Sequence, residues 1–482
     1  MLKFILLFCS AIFCSSLLFG QVKTYDDLLK GVINAPELKN ASISLYAEKL
    51  SDNKVVMQHN QLMSVVPAST FKIIPTATAL ELLGANYKFK TELAYSGAIA
   101  TDGTLTGNIY IIGYGDPCLG SSNFSDNYNK PKDLIQQWVD AIKALGIKKV
   151  NGDIISDISY FGDIDFPDTW IWEDIANYYG NPGSALNYMD NLFKIHFKTG
   201  YTDGSPTIVT RTEPADIGLT FTNKVTSSST TGDEAFIYFD EKSGNREIRG
   251  TLPWKNTDFT IKGSIPEPEL YLAKVLTNSM KVSGISVSGE QSVISDFDNS
   301  KIRKVFHTTY SPSLSDIVMK TNMVSFNLYA EVLSHHIAIK LGKSYSESIL
   351  SFWKSKAVDV DGLNIEDACG LSHFNSINAK QMVSILRYMR NQGTERIAFY
   401  NSLPVAGTSG TLSRYCVGTK AQNRLHAKSG SMTRVRSYAG YIFNEKGEEI
   451  VFCLIVNNYN CNNYRMRKIC EDLFIGISEI SE

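Results

Sequence analysis

The chain has 482 residues, too many for one compact core, so two or more domains are expected. Its 47 basic and 49 acidic side chains give a formal net charge of −2, which excludes the strongly basic surface of a nucleic-acid-binding protein. Eight scattered cysteines form no C-x-x-C pair and seven histidines form no H-E-x-x-H pattern, so we predict no metal and no cofactor.

The first twenty residues carry Lys3 and then an uncharged apolar run that ends in small residues. This pattern is typical of a secretory signal peptide, and a retained transmembrane anchor is the alternative. No later segment has about twenty uncharged apolar residues. We therefore predict an exported, periplasmic protein that is either soluble or peripheral at the inner membrane. A disulfide such as Cys461 with Cys470 is compatible with export, but the connectivity cannot be deduced from sequence.

The segment up to about residue 90 predicts a helix, a hairpin and a second helix. Residues 24–34 predict the first helix, and ASISLYAEKL (41–50), the turn SDNK and VVMQ predict the hairpin. PASTFKIIPTATALELLG (67–84) predicts a helix that begins near Ser69 and ends at Gly84. Pro75 is expected to kink this helix, because it lacks the amide that would bond to Phe71.

From about residue 90 the chain is rich in short strands and glycine turns, with one helix at KDLIQQWVDAIKALG. Helical patterns return from about 267, and three strands between about 425 and 459 precede a final helix near 462–477. This order predicts an α+β domain of helices packed on an antiparallel sheet, interrupted by a large β-rich insertion. We predict a signal peptide at 1–20, one discontinuous domain at 21–90 and 267–482, and an insertion of two nested subdomains at 91–266.

Ser69 and Lys72 form an S-x-x-K pattern at the start of a predicted helix. Residues three apart share a helical face, and an ammonium in a dry pocket has a lowered pKa, so the lysine could take the serine proton. Serine is also a common helix cap, and the same pattern recurs at Ser51–Lys54 and Ser351–Lys354. The first of these repeats lies in the hairpin turn, so context must decide the role of Ser69.

Enzymes with an S-x-x-K serine also carry S-x-N and K-[ST]-G elements. Literal matches occur at Ser125-Asp-Asn127 and Lys198-Thr-Gly200, but the first lies in a polar loop and the second is followed by a turn. Ser325-Phe-Asn327 instead joins two amphipathic helical stretches, and Lys428-Ser429-Gly430-Ser431 opens the C-terminal strand meander. We select this second set, because each element can present its side chains to a cleft and Gly430 leaves room for an extended substrate.

With these motifs in the order Ser69, Ser325, Lys428, the chain resembles the penicillin-recognising enzymes. It most resembles the D-alanyl-D-alanine carboxypeptidase/endopeptidase family of class C low-molecular-mass penicillin-binding proteins, peptidase family S13. The family places extra domains between its first two motifs, which here lie 256 residues apart, at 69 and 325. Further similar segments are GYGDPCLG (113–120), WIWEDIANYYGNPGSALNYMDN (170–191), DACGLSHFN (367–375) and LPVAGTSGTL (403–412).

The resemblance implies a penicillin-binding-protein/β-lactamase-like transpeptidase domain and an acyl-enzyme on Ser69. Lys72 is the expected base and Ser325 the expected proton relay. The expected substrate-binding residues are Asn327, Lys428, Ser429, Gly430 and Ser431, and amides of Ser69 and Ser431 are the expected oxyanion hole. Three positions depart from the family pattern, with Phe326 for aspartate, Ser429 for threonine and Cys369 for a small polar residue.

The expected partners are peptidoglycan stem peptides, with β-lactams as covalent inhibitors and no nucleic acid. Two other functions stay open, a β-lactamase and a catalytically weak sensor of peptidoglycan or β-lactams. A β-lactamase would need an activated deacylating water, for which Glu347, Glu366 and Glu395 are candidates without an obvious loop to hold them. The sequence leaves undetermined the balance of carboxypeptidase and endopeptidase activity, the third stem residue and the oligomeric state.

Overall fold

The computed structural model describes residues 24–124, 130–229, 232–239, 245–296 and 302–481. The predicted signal peptide at 1–20 and the string Ser125-Asp-Asn127 lie outside these residues. Within the described ranges, no helix combines the length and apolar character needed to cross a membrane. The six cysteines of these ranges are all free thiols, so the pairing of Cys461 with Cys470 is not formed here.

The described residues form eleven α-helices and twenty strands. The helices are α1 Tyr25–Ile33, α2 Ile73–Leu83, α3 Pro131–Ala144, α4 Trp172–Ile175, α5 Pro268–Val282, α6 Leu314–Val324, α7 Asn327–Leu341, α8 Tyr345–Ser355, α9 Ala379–Asn391, α10 Arg396–Asn401 and α11 Asn463–Glu479. The first ten strands are β1 Ser42–Lys49, β2 Val55–His59, β3 Lys90–Tyr95, β4 Ala98–Ile99, β5 Thr104–Thr106, β6 Ile109–Gly113, β7 Lys149–Asn151, β8 Ile154–Asp157, β9 Leu192–Lys198 and β10 Ile208–Glu213. The others are β11 Phe221–Ser228, β12 Glu234–Phe239, β13 Arg246–Pro253, β14 Phe259–Ser264, β15 Ser286–Val287, β16 Gln291–Ile294, β17 Lys304–Tyr310, β18 Leu425–Met432, β19 Val435–Phe443 and β20 Glu449–Asn457.

A five-stranded antiparallel sheet in the order β18-β19-β20-β1-β2 organises the domain that carries the selected motifs. Its centre joins the two ends of the chain, since β1 pairs with β20 along its whole length, from Ser42 opposite Asn457 to Lys49 opposite Ile450. The predicted N-terminal hairpin and the C-terminal meander are therefore parts of one sheet. The α+β prediction is confirmed.

Helices cover both faces of this sheet. Successive side chains of β20 point to opposite faces, and those on both faces are buried. Cys453 and Ile455 point into a core formed with α2, α7, α8 and α9. Leu454 and Val456 point into a second core formed with α1 and α11. The strand is apolar at nearly every position because it is buried on both sides.

The inserted region contains smaller sheets of its own. Strands β10-β9-β14 form an antiparallel sheet, and β11-β13-β12, β15-β7-β5-β4 and β16-β8-β6-β3-β17 form three mixed sheets. Strand β17 pairs with β3, and α5 buries Leu272 and Leu276 in the apolar core of this region. Helix α5 and strand β17 thus pack with the insertion, although both follow the predicted domain division at 266/267.

The segment around Ser69 is a 3-10 helix from Ala68 to Lys72, and α2 follows directly. Ser69 is the second residue of the 3-10 turn and does not cap a helix, contrary to the simpler alternative. Pro75 was expected to kink the helix from its interior, but it is the third residue of α2 and lies in the first turn. First-turn amides have no partner within their helix, so the proline there costs no hydrogen bond.

Candidate active site

Ser69 is the accessible member of an otherwise buried turn. Ala68, Thr70 and Lys72 are buried on the same 3-10 helix, whereas Ser69 is half-buried. Ala68 has a φ of 48°, which is uncommon for a residue with a side chain. Such strained backbone is concentrated at functional sites, where surrounding contacts hold it. The turn therefore aims a single hydroxyl outward from a rigid base.

Lys72 lies at the centre of the site, with three oxygen acceptors around its ammonium. It donates to Ser69 Oγ at 3.0 Å, to Asn327 Oδ1 at 2.6 Å and to the Cys369 carbonyl at 2.6 Å. Burial lowers the pKa of Lys72, although the acidic groups of Cys369, Asp367 and Glu331 act in the opposite direction. A lysine with a lowered pKa beside a serine hydroxyl can act as its base.

Ser325 and Asn327 lie at a sharp junction between two helices. Ser325 ends α6 in the left-handed conformation at φ 61°, Phe326 is extended, and Asn327 begins α7. This change of direction brings the Asn327 amide to Lys72, while its Nδ2 donates to the Tyr179 carbonyl at 2.8 Å. The predicted helix-to-helix junction is confirmed.

Lys428 reaches the same site from the edge strand β18. Its ammonium donates to Ser325 Oγ at 2.9 Å and to the Ser429 carbonyl at 2.7 Å, and its side chain is fully buried. Burial, and then repulsion from Lys72, lower the pKa of Lys428 well below its usual range. An anion bound nearby would favour the protonated form, so this site favours a negatively charged ligand group.

The outer part of β18 borders the accessible side of the site. The Ser429 hydroxyl is half-buried and donates to Thr411 Oγ1 at 2.8 Å, while Ser431 is exposed. Gly430 lies against the nucleophile turn, because a Cβ built on it would approach the Ser69 amide nitrogen to 2.9 Å and the Pro67 carbonyl to 2.7 Å. The strand backbone can approach Ser69 this closely only without a side chain.

A buried carboxyl holds the carbonyl that accepts from Lys72. Glu331 follows Asn327 by one turn of α7, and its Oε1 accepts from the amides of Ala368 at 3.0 Å and Cys369 at 2.7 Å. Since the Cys369 carbonyl contacts the Lys72 ammonium, Glu331 sets the position of that acceptor.

Asp367 ties down the rest of this loop. Its two oxygens accept from the Gly370 amide at 2.7 Å and from Trp170 Nε1 at 2.8 Å. The ligand atoms of Glu331, Asp367 and Cys369 lie within 4.8 Å of one another, a spacing that could hold a metal ion. Both carboxyls already accept from amide and indole groups, so we interpret the cluster as an anchor of the loop behind Lys72.

Glu331 makes stability depend on pH in a direction that can be tested. Burial, and then repulsion from Asp367, raise the pKa of Glu331 to about 8, so the folded chain binds this proton more tightly than the unfolded chain. Stability is then lost as the pH rises from about 4.5 to about 8. Glu331→Gln keeps an acceptor oxygen but cannot ionise. The measured quantity is the difference in melting temperature, wild type minus variant. We expect this difference to be at least about 2 °C smaller at pH 8.5 than at pH 5.

The matched control for this measurement is Glu366→Gln, which changes an exposed carboxyl in the neighbouring loop. Its melting curve should run parallel to that of wild type across the same pH range. Parallel curves for Glu331→Gln as well would contradict the assignment of a proton to this carboxyl.

The structure brings together Ser69, Lys72, Ser325, Asn327 and Lys428, with Ser429 and Gly430 along the edge strand. The string Lys198-Thr-Gly200 was predicted to be a loop, but Lys198 is the last residue of strand β9 in the insertion and is exposed. Glu331 was not predicted as part of the site. Its spacing of four residues from Asn327 on a predicted helix was the available signal.

Comparison with known proteins gives a family match over most of the chain. The family model described as D-Ala-D-Ala carboxypeptidase 3 (S13) matches residues 26–474. The D-alanyl-D-alanine carboxypeptidase DacB of Haemophilus influenzae is 23% identical over 433 residues, covering 88% of this chain and 86% of the relative. A D-alanyl-D-alanine carboxypeptidase of an Actinomadura species is 26% identical over 457 residues, covering 90% and 80%.

The fold is also found among solved structures. Penicillin binding protein 4 (dacB) from Haemophilus influenzae superposes with a TM-score of 0.79 at 22% identity, covering 93% of this chain and 97% of that one. The same protein complexed with a β-lactam superposes with a TM-score of 0.74 at 20% identity. The predicted penicillin-binding-protein-like fold is confirmed by this likeness.

Proposed function

Because the chain belongs to the D-Ala-D-Ala carboxypeptidase 3 (S13) family, we propose that it is a serine-type D-Ala-D-Ala carboxypeptidase, with DD-endopeptidase capacity, acting through an acyl-enzyme on Ser69. Its substrates are the stem peptides of peptidoglycan, the substrate class implied by the family and by the two carboxypeptidase relatives. The predicted export signal at 1–20 fits a substrate outside the cytoplasm, either in the periplasm or at the periphery of the inner membrane.

The first chemical step forms an ester on Ser69. Its Oγ attacks the carbonyl carbon between the two D-alanines, and Lys72 Nζ, 3.0 Å from that oxygen, accepts the hydroxyl proton. Backbone amides of Ser69 and Ser431 stabilise the oxyanion, and one such donor contributes about 3 kcal/mol in other serine enzymes. The Lys72 ammonium formed in this step is stabilised by the Asn327 and Cys369 oxygens.

The second part of the step releases the terminal D-alanine. The C–N bond breaks, and the Ser325 hydroxyl passes a proton to the leaving amine. Ser325 can be resupplied by Lys428, whose ammonium lies 2.9 Å from its oxygen. Lys428 also attracts the terminal carboxylate of the substrate, which the hydroxyls of Ser429 and Ser431 hold in place. Water then attacks the ester carbonyl carbon and the bond to Ser69 Oγ breaks. Lys72 returns its proton to Ser69 Oγ and a proton of the water restores Lys428, which leaves the shortened peptide and the free enzyme.

The contact that carries this proposal is the Lys72 to Ser69 hydrogen bond inside a buried pocket closed by Asn327 and Lys428. A histidine base is not needed, because a desolvated lysine can take the proton at neutral pH.

The test combines a covalent label with a product assay. Purified protein should be labelled by fluorescent penicillin and should release D-alanine from a stem pentapeptide, and Ser69→Ala should lose both activities, with rates reduced at least about 10³-fold. Ser51→Ala, in the hairpin turn of the other S-x-x-K, is the control and should keep both. Labelling of the Ser69→Ala variant would contradict the assignment.

The two other functions are distinguished in the same experiment. A β-lactamase would hydrolyse penicillin rapidly, whereas the carboxypeptidase keeps the acyl group for many turnovers of peptide. A sensor would accept the label but release no D-alanine. Glu347 caps helix α8 and Glu366 is held by Asn364, so each of these carboxyls has a structural partner in the described chain.

A further inference from the structure

A band of large aromatic side chains is exposed on the insertion. Trp172 and Tyr178 are 52% and 39% exposed, and Phe236 and Tyr238 beside them are half-buried. We name these four residues the aromatic shelf. Contiguous exposed apolar surface on a soluble domain marks a binding surface more often than an isolated exposed residue does.

The rings of the shelf are held in fixed positions. Trp172 Nε1 donates to the Phe239 carbonyl at 2.9 Å, and its ring centroid lies 4.8 Å from that of Tyr238. The Arg249 guanidinium lies over both rings, at 4.7 Å from Tyr238 and 5.3 Å from Trp172. The Tyr238 hydroxyl donates to Glu173 at 3.3 Å. Rings fixed before binding lose little conformational entropy when a ligand stacks on them.

The shelf is linked to the catalytic site through Tyr179, which follows the shelf residue Tyr178 in the chain. Phe236 and Tyr238 alternate with buried residues on β12, so they share one face of its sheet. Phe236, Tyr178 and Tyr179 line one cavity of about 360 Å³. The Tyr179 carbonyl accepts from Asn327, which in turn contacts Lys72. A ligand on the shelf therefore lies beside the cleft that receives the stem peptide.

The chemistry of the shelf fits a saccharide. A pyranose ring has apolar C–H faces that stack on aromatic rings and polar edges that need hydrogen-bonding partners. Such partners surround the rings, with Arg249 and Lys262 opposing Glu173 and Asp233. These two cations and two carboxyls balance in formal charge. The surface therefore suits an uncharged saccharide ligand better than an acidic or a basic one.

We propose that the aromatic shelf binds the glycan strand of peptidoglycan, the polysaccharide from which the stem peptide hangs. This inference rests on the proposed function, because that function makes a peptide attached to a glycan the substrate. Binding of the glycan beside the cleft would raise the local concentration of stem peptides at Ser69. The surface would then favour polymeric peptidoglycan over free peptide.

The binding test uses short strands of uncharged β-1,4-linked N-acetylglucosamine, so that the shelf is measured without the catalytic cleft and without the lactyl carboxylates that an amidase would expose on peptidoglycan. Ser69→Ala protein should bind these strands in calorimetry. Adding Trp172→Ala should weaken the affinity at least about tenfold, whereas Trp172→Phe should keep most of it. The control is Tyr464→Ala, which removes a side chain that is 72% exposed on α11, on the other side of the sheet from α7.

The kinetic test uses protein with Ser69 intact and compares two substrates. Trp172→Ala should raise KM for polymeric peptidoglycan and leave kcat and KM for a free pentapeptide unchanged. Failure of the wild-type protein to hydrolyse the pentapeptide would overturn the proposed function. The glycan-binding measurement would still test the shelf, because it does not depend on catalysis. Absence of glycan binding, or equal affinities of the Trp172→Ala and Tyr464→Ala proteins with unchanged melting temperatures, would overturn the inference about the shelf.

Discussion

Lys72→Met should reduce the rate of acylation by fluorescent penicillin at least about 10³-fold, which is typical for loss of a general base. Methionine resembles lysine in length but cannot accept the Ser69 proton, which Lys72 Nζ is placed to take at 3.0 Å. The acylation rate constant, measured by stopped flow or by gel labelling over time, checks this prediction. The same variant should release no D-alanine from a pentapeptide above background.

The control for this variant is the lysine of the literal K-T-G string at 198–200. Lys198→Met changes an exposed side chain at the end of β9 and should leave acylation within about twofold of wild type. The melting temperature of Lys72→Met must also be measured, since the variant leaves the Asn327 and Cys369 oxygens without a donor. A folded Lys72→Met protein that still acylates normally would contradict the role of this lysine.

Gly430→Ala should reduce acylation at least about 10²-fold, because the added methyl group cannot fit between β18 and the nucleophile turn. Its Cβ would lie 2.9 Å from the Ser69 amide nitrogen and 2.7 Å from the Pro67 carbonyl, both backbone atoms that cannot rotate away. The turn must therefore move relative to the strand. The Ser69 amide is an expected oxyanion donor, and loss of one such donor typically costs 10²- to 10³-fold.

The control for this variant is Gly31→Ala on α1, where nothing lies within 4 Å of the added carbon. Alanine favours a helix over glycine, so this protein should be at least as stable as wild type and fully active. Acylation at the wild-type rate by Gly430→Ala would show that the strand can retreat without disturbing Ser69. A separate assay of pentapeptide hydrolysis tests whether substrate binding along β18 is affected as well.

Two sets of strings in the sequence could have supplied the S-x-N and K-[ST]-G elements of the site. The literal strings at 125–127 and 198–200 match the expected letters better than Ser325-Phe-Asn327 and Lys428-Ser429-Gly430 do. Secondary-structure context favoured the less literal pair, and the structure brings Ser325, Asn327 and Lys428 to Lys72 and to one another. Their individual catalytic roles remain predictions.

Other features of the site had no signal in the sequence. The Cys369 and Tyr179 carbonyls contact Lys72 and Asn327 through backbone oxygens, which every residue type possesses. The 3-10 turn around Ser69 was expected as a regular helix, since the difference depends on the positive φ of Ala68. The backbone is also closely packed there, as a Cβ on Gly370 would lie 2.1 Å from the Ala68 carbonyl oxygen.

The sequence by itself determined the α+β class of the fold and the S-x-x-K spacing of Ser69 and Lys72, because both depend on patterns over a few residues. The roles of the site residues came from the family resemblance and remain predictions. Only the tertiary structure decided that Lys72 and Lys428 are both buried and have lowered pKa values. Desolvation is the sum of contributions from segments far apart in the chain, so no local pattern can report it. The same holds for the aromatic shelf, whose rings come from α4, the turn that follows it and β12, and meet only when the insertion folds.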